Sequence, residues 1–355
     1  MSAVERMAVL AVCGWSGSGK TTLLEALIPL LRERGLRVAV IKNDAHGVEV
    51  DRPGKDSDRL FRAGASVVLR SPRESFARWH GEVVPDLPVL IRDLAARNDV
   101  VLVEGHKSTT LKKIWLLGAD ESEPPDGLDH IVRVLPRDGD RLGAALQEVV
   151  ERVEAVGRNR RVLGGVLIGG ESRRMGREKQ LLEYDGHSLV ENTVAALESQ
   201  VDEIVLLGGG TVPSALAERP VLPDSHGMEG PMSGLISGLR WAPDLPWVMV
   251  SCDLPHLTSQ GVGWLFDQRR PGRWAILPTG ASGVVNPLCA VYEPQALPLL
   301  EELILSGSFA PKGLAVHPGV FCPTLPQSLE HEWRGVNTLD EYREICGGGG
   351  DSEIE

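Results

Sequence analysis

The sequence predicts an α/β protein of two doubly wound domains, each built on a mostly parallel sheet. Its 355 residues are more than one hydrophobic core usually supports. A short apolar run, a glycine-rich turn and an amphipathic segment follow one another from Met7 to Arg34, and the same order begins again at Gly164. Strand-like and helical patterns alternate after both points, which is typical of parallel sheets covered by helices. We therefore expect domains over residues 1–156 and 163–346, a linker over 157–162 and a disordered acidic tail over 347–355.

The first domain begins with a predicted strand over Met7–Cys13 and a helix over Lys20–Arg34 that stops at Gly35. Further helical patterns cover Asp86–Arg97 and Arg141–Val156. The remaining strand-like runs are Leu36–Ile41, Ser66–Leu69, Val100–Val103, Ile114–Leu117 and Ile131–Leu135.

The second domain follows a polar segment, 157–161, that has no apolar periodicity and suits a linker. Gly164–Ile168 is a predicted strand, Gly169–Gly176 a glycine-rich loop and Ser188–Leu197 a helix. The later strand-like runs are Ile204–Leu207, Trp247–Val250, Ala275–Leu277 and Leu288–Val291.

Composition excludes several classes of function. The net charge of −12 argues against nucleic-acid binding, which needs a broad basic surface. The basic run Arg158–Arg161 is expected to be solvated surface. Five scattered cysteines without Cys-x-x-Cys spacing indicate reduced, mostly buried thiols. A secretory signal and any apolar stretch of ~20 residues are missing, so we expect a cytoplasmic protein that does not enter a membrane.

The first glycine-rich turn, Gly14–Thr21, fits the complete P-loop pattern between a strand and a helix. In such a loop backbone N–H groups surround the β-phosphate, Lys20 bridges the outer phosphates and the Thr21 hydroxyl ligates Mg²⁺. Glu104 ends an apolar strand and is a second candidate for Mg²⁺ or its water, although it also fits a surface acid. The nucleotide-binding candidates are Gly14, Gly17, Ser18, Gly19, Lys20, Thr21 and Thr22.

The second glycine-rich loop is not a P-loop but has equivalent parts. Glycines permit close approach of the backbone, and Arg174 and Lys179 supply cations where a triphosphate would lie. Asp253 follows a buried-type strand and is placed to hold Mg²⁺ in the crevice at the carboxyl ends of parallel strands, or else to cap the next turn. Asp224 precedes the turn Gly230–Leu235 and fits a ligand or a turn-forming residue. The nucleotide-binding candidates here are Leu167, Ile168, Gly169, Gly170, Lys179, Asp224 and Asp253.

The first half resembles the molybdopterin-guanine dinucleotide biosynthesis adaptor, a GTP-binding P-loop family. The resemblance covers most of residues 5 to 155. It is carried by the P-loop and by Asp51–Ser57, Arg62–Ala65 and Val103–Lys107. Members often have several histidines directly after the position of Lys42, where this chain keeps only His46, so His46 is expected to be an ordinary loop residue.

The second half resembles the molybdenum cofactor guanylyltransferase family, within the sugar-nucleotide transferase-like fold, over roughly residues 163 to 345. The motifs that carry this resemblance are the glycine loop, Lys179, Asp224, Gly230–Leu235, Cys252–Pro255, Asn286-Pro287 and Val336–Thr338. Members commonly have asparagines where this chain has Leu207–Gly210 and Gly335. The resemblance implies that molybdopterin, or Mo-molybdopterin, attacks the α-phosphorus of GTP and releases pyrophosphate. It also implies Mg²⁺ as cofactor and Asn286 and Asn337 as acceptor ligands.

The reaction needs no strong general base, because a phosphate monoester with a second pKa near ~6 is already largely dianionic at neutral pH. We therefore predict Lys179, Arg174 and Asp253 as catalytic residues, and His187, His226 and His256 as structural or surface residues. The P-loop half would bind GTP and assist delivery to molybdoenzymes or to other cofactor-biosynthesis proteins. Two alternatives stay open: a cytidylyltransferase or other NTP:phosphate nucleotidyltransferase, and a GTP-regulated cofactor carrier.

Overall fold

The computed structural model describes residues 4–43, 51–80, 85–169, 178–228 and 230–346. The chain forms two compact units, an N-terminal unit (Met1–Val153) and a C-terminal unit (Glu154–Glu355). His46, Gly170, Arg174 and the acidic tail lie outside the described residues.

The N-terminal unit contains a five-stranded parallel sheet with the strand order β2-β5-β1-β6-β7. Its strands are β1 (Val9–Gly14), β2 (Val38–Lys42), β3 (Val67–Arg70), β4 (Ser75–Arg78), β5 (Val100–Glu104), β6 (Lys113–Leu116) and β7 (Ile131–Leu135). Its helices are α1 (Lys20–Glu33), α2 (Asp56–Arg62), α3 (Leu87–Ala95) and α4 (Arg141–Asn159), the last of which continues past Val153.

Helices cover this sheet as the apolar periodicity predicts. Alternate residues of β1, such as Val9 and Ala11, pack with Ile91 of α3 in one core. Helix α1 buries Leu23, Leu27 and Leu31 and packs against β1 and β2. Because β1 is central, its carboxyl end and the P-loop that follows lie beside the end of β5, where Val12 pairs with Glu104.

The run predicted as a sheet strand over Ser66–Leu69 belongs elsewhere. It forms β3, which pairs antiparallel with β4 in a separate two-stranded sheet. Only residues 71–74 separate these strands, and the Ser71 amide donates to the Glu74 carbonyl at 2.8 Å to close the turn. Parallel strands need a crossover of about a dozen residues, so a hairpin is the arrangement that this short connection permits.

Helix α4 extends beyond its predicted end at Val156 into the segment predicted as a linker. Arg158 pairs with Glu154 at 3.3 Å, one helical turn earlier, which favours the extra turn. Arg160 also departs from the solvated basic run that the sequence predicts. Burial lowers the pKa of its guanidinium, against the opposing effect of Glu293.

The C-terminal unit contains a seven-stranded mixed sheet with the order β12-β11-β8-β13-β15-β14-β16. Its strands are β8 (Leu163–Leu167), β9 (Glu183–Tyr184), β10 (His187–Ser188), β11 (Glu203–Leu207), β12 (Val221–Leu222), β13 (Trp247–Ser251), β14 (Ala275–Ile276), β15 (Cys289–Tyr292) and β16 (Val320–Phe321). Its helices are α5 (Leu189–Glu198), α6 (Pro231–Trp241), α7 (Ser259–Phe266), α8 (Ala296–Leu305) and α9 (Leu339–Cys346). Within the sheet, β15 runs antiparallel to both of its neighbours.

Both faces of this sheet are covered, because successive residues of each central strand point to opposite cores. Val248 and Val250 pack on the side of α5 and α7, whereas Trp247 and Met249 pack on the side of α6 and α8. The backbone of β8 has no room for a side chain at Gly165, where a Cβ atom would lie 2.4 Å from the Met249 sulfur. The predicted doubly wound α/β architecture is confirmed.

Candidate functional site

Three parallel strands of the C-terminal unit end in register at one edge of the sheet. Leu167 of β8 pairs with Leu207 of β11 on one side and with Ser251 of β13 on the other. The segments that follow these strands therefore meet, which is where open α/β sheets bind ligands.

Asp253 and Lys179 form the centre of this edge. The Lys179 ammonium donates to the Asp253 Oδ2 atom at 2.8 Å and to the Asn337 Oδ1 atom at 3.2 Å. The Ser251 hydroxyl donates to the other carboxylate oxygen, Oδ1. The side chains of Lys179 and Asp253 are 19% and 22% exposed, so water and a ligand can reach both. Three sequence-predicted residues from separate segments are thereby brought together.

The turn that carries Asn337 is fastened to this centre. The Val336 amide donates to the Asp253 carbonyl at 2.9 Å. The Glu341 carboxylate accepts hydrogen bonds from the Asn337 amide at 2.6 Å and the Thr338 amide at 3.1 Å, and the Asn337 bond is the main cause of the lowered pKa of Glu341. Asn337 is thus held at the start of α9 with its side chain towards Lys179.

The glycine-rich segments after β8 and β11 lie in backbone contact. The Ile168 amide donates to the Leu207 carbonyl at 2.8 Å. Gly208 has φ 120°, and a Cβ atom there would lie 2.0 Å from the Ile168 carbonyl oxygen. Gly169 has φ 89°, and its Cβ atom would lie 2.9 Å from the Gly210 amide nitrogen. Only glycine fits this approach, which leaves backbone polar groups close to where the donor nucleotide is expected.

Two neighbours of Lys179 hold this second glycine segment, and sequence reasoning missed both. The Glu178 Oε1 atom accepts the Thr211 amide at 3.2 Å, and bonds to Thr211 lower the pKa of Glu178. The Gln180 side chain is 1% exposed and its amide nitrogen donates to the Thr211 carbonyl at 3.5 Å. No sequence signal distinguishes them, because their contacts depend on a residue far along the chain.

Asp224 and Asn286 lie around the same edge. The exposed Asp224 follows β12, and a Cβ atom on Gly208 would lie 3.8 Å from its Oδ2 atom. The Asn286 Oδ1 atom accepts the Leu288 amide at 3.0 Å, and the Leu288 carbonyl accepts the Ser251 amide at 2.7 Å. Leu288 therefore connects Asn286 to the end of β13. The Asn286 side-chain oxygen is already hydrogen-bonded to the backbone two residues later.

Cysteines and histidines near the edge have structural environments. All five cysteines are free of disulfides, and burial raises the pKa of Cys252, next to Asp253, to about 12. Burial first, and then the charges of His331 and Arg334, lower the pKa of His256, whose Nδ1 atom lies 3.2 Å from the Tyr184 hydroxyl. His187 and His226 are exposed.

In the N-terminal unit, the P-loop joins β1 to α1. Gly17 and Gly19 have φ values of 76° and 93°, the left-handed region that favours glycine. The Lys20 ammonium donates to the carbonyls of Gly14 at 3.1 Å and Trp15 at 2.8 Å. Arg141, which the sequence did not indicate, donates to the Ser18 carbonyl at 2.8 Å and braces the loop from α4.

The two metal-ligand candidates of this unit meet directly. The Thr21 hydroxyl donates to the Glu104 Oε1 atom at 2.7 Å, and the Glu104 side chain is buried. Hydroxyl and carboxylate oxygens are ligands that Mg²⁺ prefers. In the C-terminal unit the Asp253 carboxylate supplies one such ligand. Among the described residues no three His, Cys, Asp or Glu side chains form a metal cluster. This donor set fits an ion that takes its other ligands from phosphates and water, as Mg²⁺ commonly does.

Two family models match the chain, one in each compact unit. A family model described as "Molybdopterin guanine dinucleotide synthesis protein B" matches residues 9–135. A second, described as "MobA-like NTP transferase domain", matches residues 164–313. None of the helices described in either unit is long and apolar enough to cross a membrane.

Three relatives illustrate these matches. The molybdopterin-guanine dinucleotide biosynthesis adapter protein of Haemophilus influenzae is 42% identical over 129 residues, which is 35% of this chain and 71% of that protein. A probable molybdenum cofactor guanylyltransferase of Pelotomaculum thermopropionicum is 30% identical over 139 residues, 39% of this chain and 67% of that protein. The molybdenum cofactor biosynthesis bifunctional protein of Synechocystis is 32% identical over 185 residues, 51% of this chain and 53% of that protein.

Proposed function

Because the chain belongs to the molybdopterin-guanine dinucleotide biosynthesis adapter family and, in its C-terminal unit, to the molybdenum cofactor guanylyltransferase family, we propose that it transfers GMP from GTP to molybdopterin. The C-terminal unit is a nucleotidyltransferase, and the proposed acceptor is the terminal phosphate of molybdopterin, with pyrophosphate as the second product. We take residues 163–346 as the transferase domain and the N-terminal unit as an accessory GTP-binding domain.

The contact between Lys179 and Asp253, at 2.8 Å, is the observation that carries this proposal. Nucleotidyl transfer brings two anionic reactants together and places negative charge on the departing pyrophosphate, so it depends on positioned cations. We assign Lys179 and Arg174 to that charge. We assign Asp253 to hold Mg²⁺, whose chemistry when bound is to neutralise phosphate oxygens and orient them. Ser251 and Asn337 would keep the carboxylate and the ammonium in place during exchange of ligands.

The acceptor requires orientation rather than deprotonation. Its phosphate monoester has a second pKa near ~6 and is largely a dianion at neutral pH. We propose that Asn286 and Asn337 orient the acceptor. His256 is accordingly not assigned as a general base. Burial lowers its pKa, and its Nδ1 atom contacts the Tyr184 hydroxyl.

The donor base is proposed to approach the glycine segments after β8 and β11. Leu167–Gly170 and the backbone around Gly208 would offer N–H and C=O groups to the guanine edge, with Asp224 beside them. A site built from such groups rejects a base that leaves buried polar groups unpaired much better than a site that relies on size. This argument predicts GTP as donor in preference to ATP and CTP.

Product identification tests the proposal. The full chain is incubated with Mg²⁺, molybdopterin and each of the four NTPs in separate reactions, and kcat/KM is measured for each. We expect the guanine dinucleotide and pyrophosphate from GTP, with the highest kcat/KM. A CTP value equal to or above that for GTP would replace guanylyl by cytidylyl transfer. Tight binding of molybdopterin without product from any NTP would favour a GTP-regulated carrier.

The N-terminal unit is proposed to bind GTP with Lys20 on the outer phosphates and with Thr21 and Glu104 at Mg²⁺. Gly14, Gly17, Ser18, Gly19 and Thr22 complete the proposed phosphate loop. We propose that this unit assists handling of the cofactor and its delivery to molybdoenzymes or to other biosynthesis proteins.

A further inference from the structure

The segment after β5 makes an unusual turn beside the P-loop. Gly105 has φ 89° and His106 has φ 58°, so two consecutive residues adopt the left-handed conformation. For a residue other than glycine this costs free energy of the order of 1 kcal/mol or more, and such residues cluster at functional sites. The turn immediately follows Glu104 and directs Lys107 back towards the end of β1.

A buried lysine fastens this segment. Lys113 in β6 is 1% exposed, and its ammonium donates to the Lys107 carbonyl at 2.8 Å and to the Thr109 carbonyl at 2.7 Å. A buried ammonium is costly unless it is hydrogen-bonded, and here backbone oxygens of a single loop supply the bonds. Lys113 therefore holds the backbone of this loop instead of pairing with an acid. The bond uses the carbonyl of Lys107 and not its side chain.

The Lys107 side chain reaches the P-loop itself. Its ammonium lies 3.4 Å from the centroid of the Trp15 ring, a cation–π contact. Trp15 packs edge-on against the buried Trp115, with centroids 6.3 Å apart. The Trp15 carbonyl accepts a hydrogen bond from Lys20 at 2.8 Å. One P-loop residue thus contacts two lysine ammonium groups, one through its backbone and one through its ring.

We propose that Lys107 is a second phosphate-binding cation of the N-terminal unit and binds the terminal phosphate of a nucleoside triphosphate. The inference rests on the proposed GTP-binding role of that unit. Lys107 follows Glu104, which meets Thr21 at 2.7 Å. Thr21 and Glu104 would hold a metal ion that neutralises the outer phosphates of the nucleotide, and Lys107 would add a cation at the outer end of the triphosphate. A diphosphate lacks the group that Lys107 would bind.

Nucleotide binding by the full chain in the presence of Mg²⁺ tests the proposal. The titration compares GDP with a non-hydrolysable GTP analogue, and the binding lost in Lys20→Ala identifies the P-loop site. Lys107→Met keeps an apolar stem on Trp15 but removes the charge. We expect it to weaken binding of the GTP analogue at that site by about 10- to 100-fold, the value of a charge-assisted hydrogen bond, and to leave GDP binding as in the wild type.

Two further variants complete the test. Lys112→Met removes the same charge from an exposed lysine five residues along the chain and should change the binding of neither nucleotide, whereas Lys107→Arg should keep most of the preference for the triphosphate. Equal weakening of both nucleotides in Lys107→Met, or unchanged binding of the GTP analogue, would overturn the assignment of Lys107 alone. If Lys20→Ala loses no binding site, the accessory GTP-binding proposal fails, and this inference fails with it.

Discussion

The two glycine-rich loops of this chain assemble their chemistry in different ways. In the N-terminal unit Lys20, the Thr21 hydroxyl and the backbone cradle come from the consecutive residues Gly14–Thr21, whereas Glu104 comes from β5 and Arg141 braces the loop from α4. In the C-terminal unit Lys179 meets an acid 74 residues later and an asparagine 158 residues later. The first site is mostly local in sequence, whereas the second is assembled from segments that lie far apart in the sequence.

The two sites should therefore respond differently to substitution. The P-loop depends first on backbone conformation at Gly17 and Gly19, and the bond from Arg141 to the Ser18 carbonyl adds one distant contact. The second site depends on tertiary contacts, namely the backbone approach of Gly169 to Gly210 and the bond from Val336 to the Asp253 carbonyl. Substitution of one residue of the second site should therefore lower the rate of transfer more than it lowers nucleotide affinity. In the P-loop the two effects should differ less.

The largest expected effect comes from the centre of the assembled site. Asp253→Asn and Lys179→Ala should each reduce kcat for nucleotide transfer by about 10²- to 10³-fold, since loss of one preorganised group that stabilises transition-state charge costs that much. The measurement is pyrophosphate release with saturating GTP and molybdopterin. Circular dichroism and the thermal midpoint should stay close to those of the wild type, because both side chains lie at the edge of the sheet.

Exposed residues of the same unit supply matched controls. Asp267→Asn and Lys312→Ala make the same chemical changes at exposed positions and should leave kcat unchanged. Turnover close to that of the wild type in Asp253→Asn or Lys179→Ala would remove that residue from the mechanism.

The second prediction concerns the local site. Lys20→Ala should weaken nucleotide binding by the N-terminal unit by about 10- to 100-fold, because one charge-assisted contact to phosphate is lost. Transfer by the C-terminal unit in a purified assay supplied with molybdopterin should be preserved, since each glycine-rich loop begins a strand–loop–helix unit of its own. If Lys20→Ala stopped formation of the dinucleotide, the two sites would not be independent.

The sequence predicted best what consecutive residues determine. The β1–P-loop–α1 unit follows from glycine spacing and apolar periodicity, and the structure has the strand over Val9–Gly14 and the helix over Lys20–Glu33. The strand before Asp253 and the parallel core of the second sheet were predicted for the same reason. The family of each half followed from short motifs, and the comparisons confirm both families.

What the sequence could not predict depends on partners far along the chain. Gln180 is a polar residue that is buried where it contacts the segment after β11. Lys113 lies just before the apolar run Ile114–Leu117, so the sequence pattern does not mark it as buried. Its hydrogen bonds to the loop carbonyls depend on the turn at His106. The run Ser66–Leu69 predicts a strand but not its partner, because an apolar run does not reveal what it pairs with, and the structure pairs it with β4 across a four-residue connection.

The weakest effect should be on the pH dependence of stability, through His256, which lies outside the centre of the C-terminal site. The Tyr184 hydroxyl and the His256 Nδ1 atom, 3.2 Å apart, join the hairpin after Lys179 to the turn after Asp253. Burial, His331 and Arg334 lower the pKa of His256 in the folded chain, below an unfolded value of about 6.5. The unfolded state then binds more protons in this range, so the stabilisation is complete above that unfolded pKa and is lost as pH falls towards the folded pKa.

Denaturant unfolding at pH 7.5 and 5.5 should show a smaller acid-induced loss of stability in His256→Gln than in the wild type, with His226→Gln, at an exposed histidine, behaving as the wild type does. An equal loss in all three proteins would show that titration of His256 does not contribute to the acid-induced loss of stability.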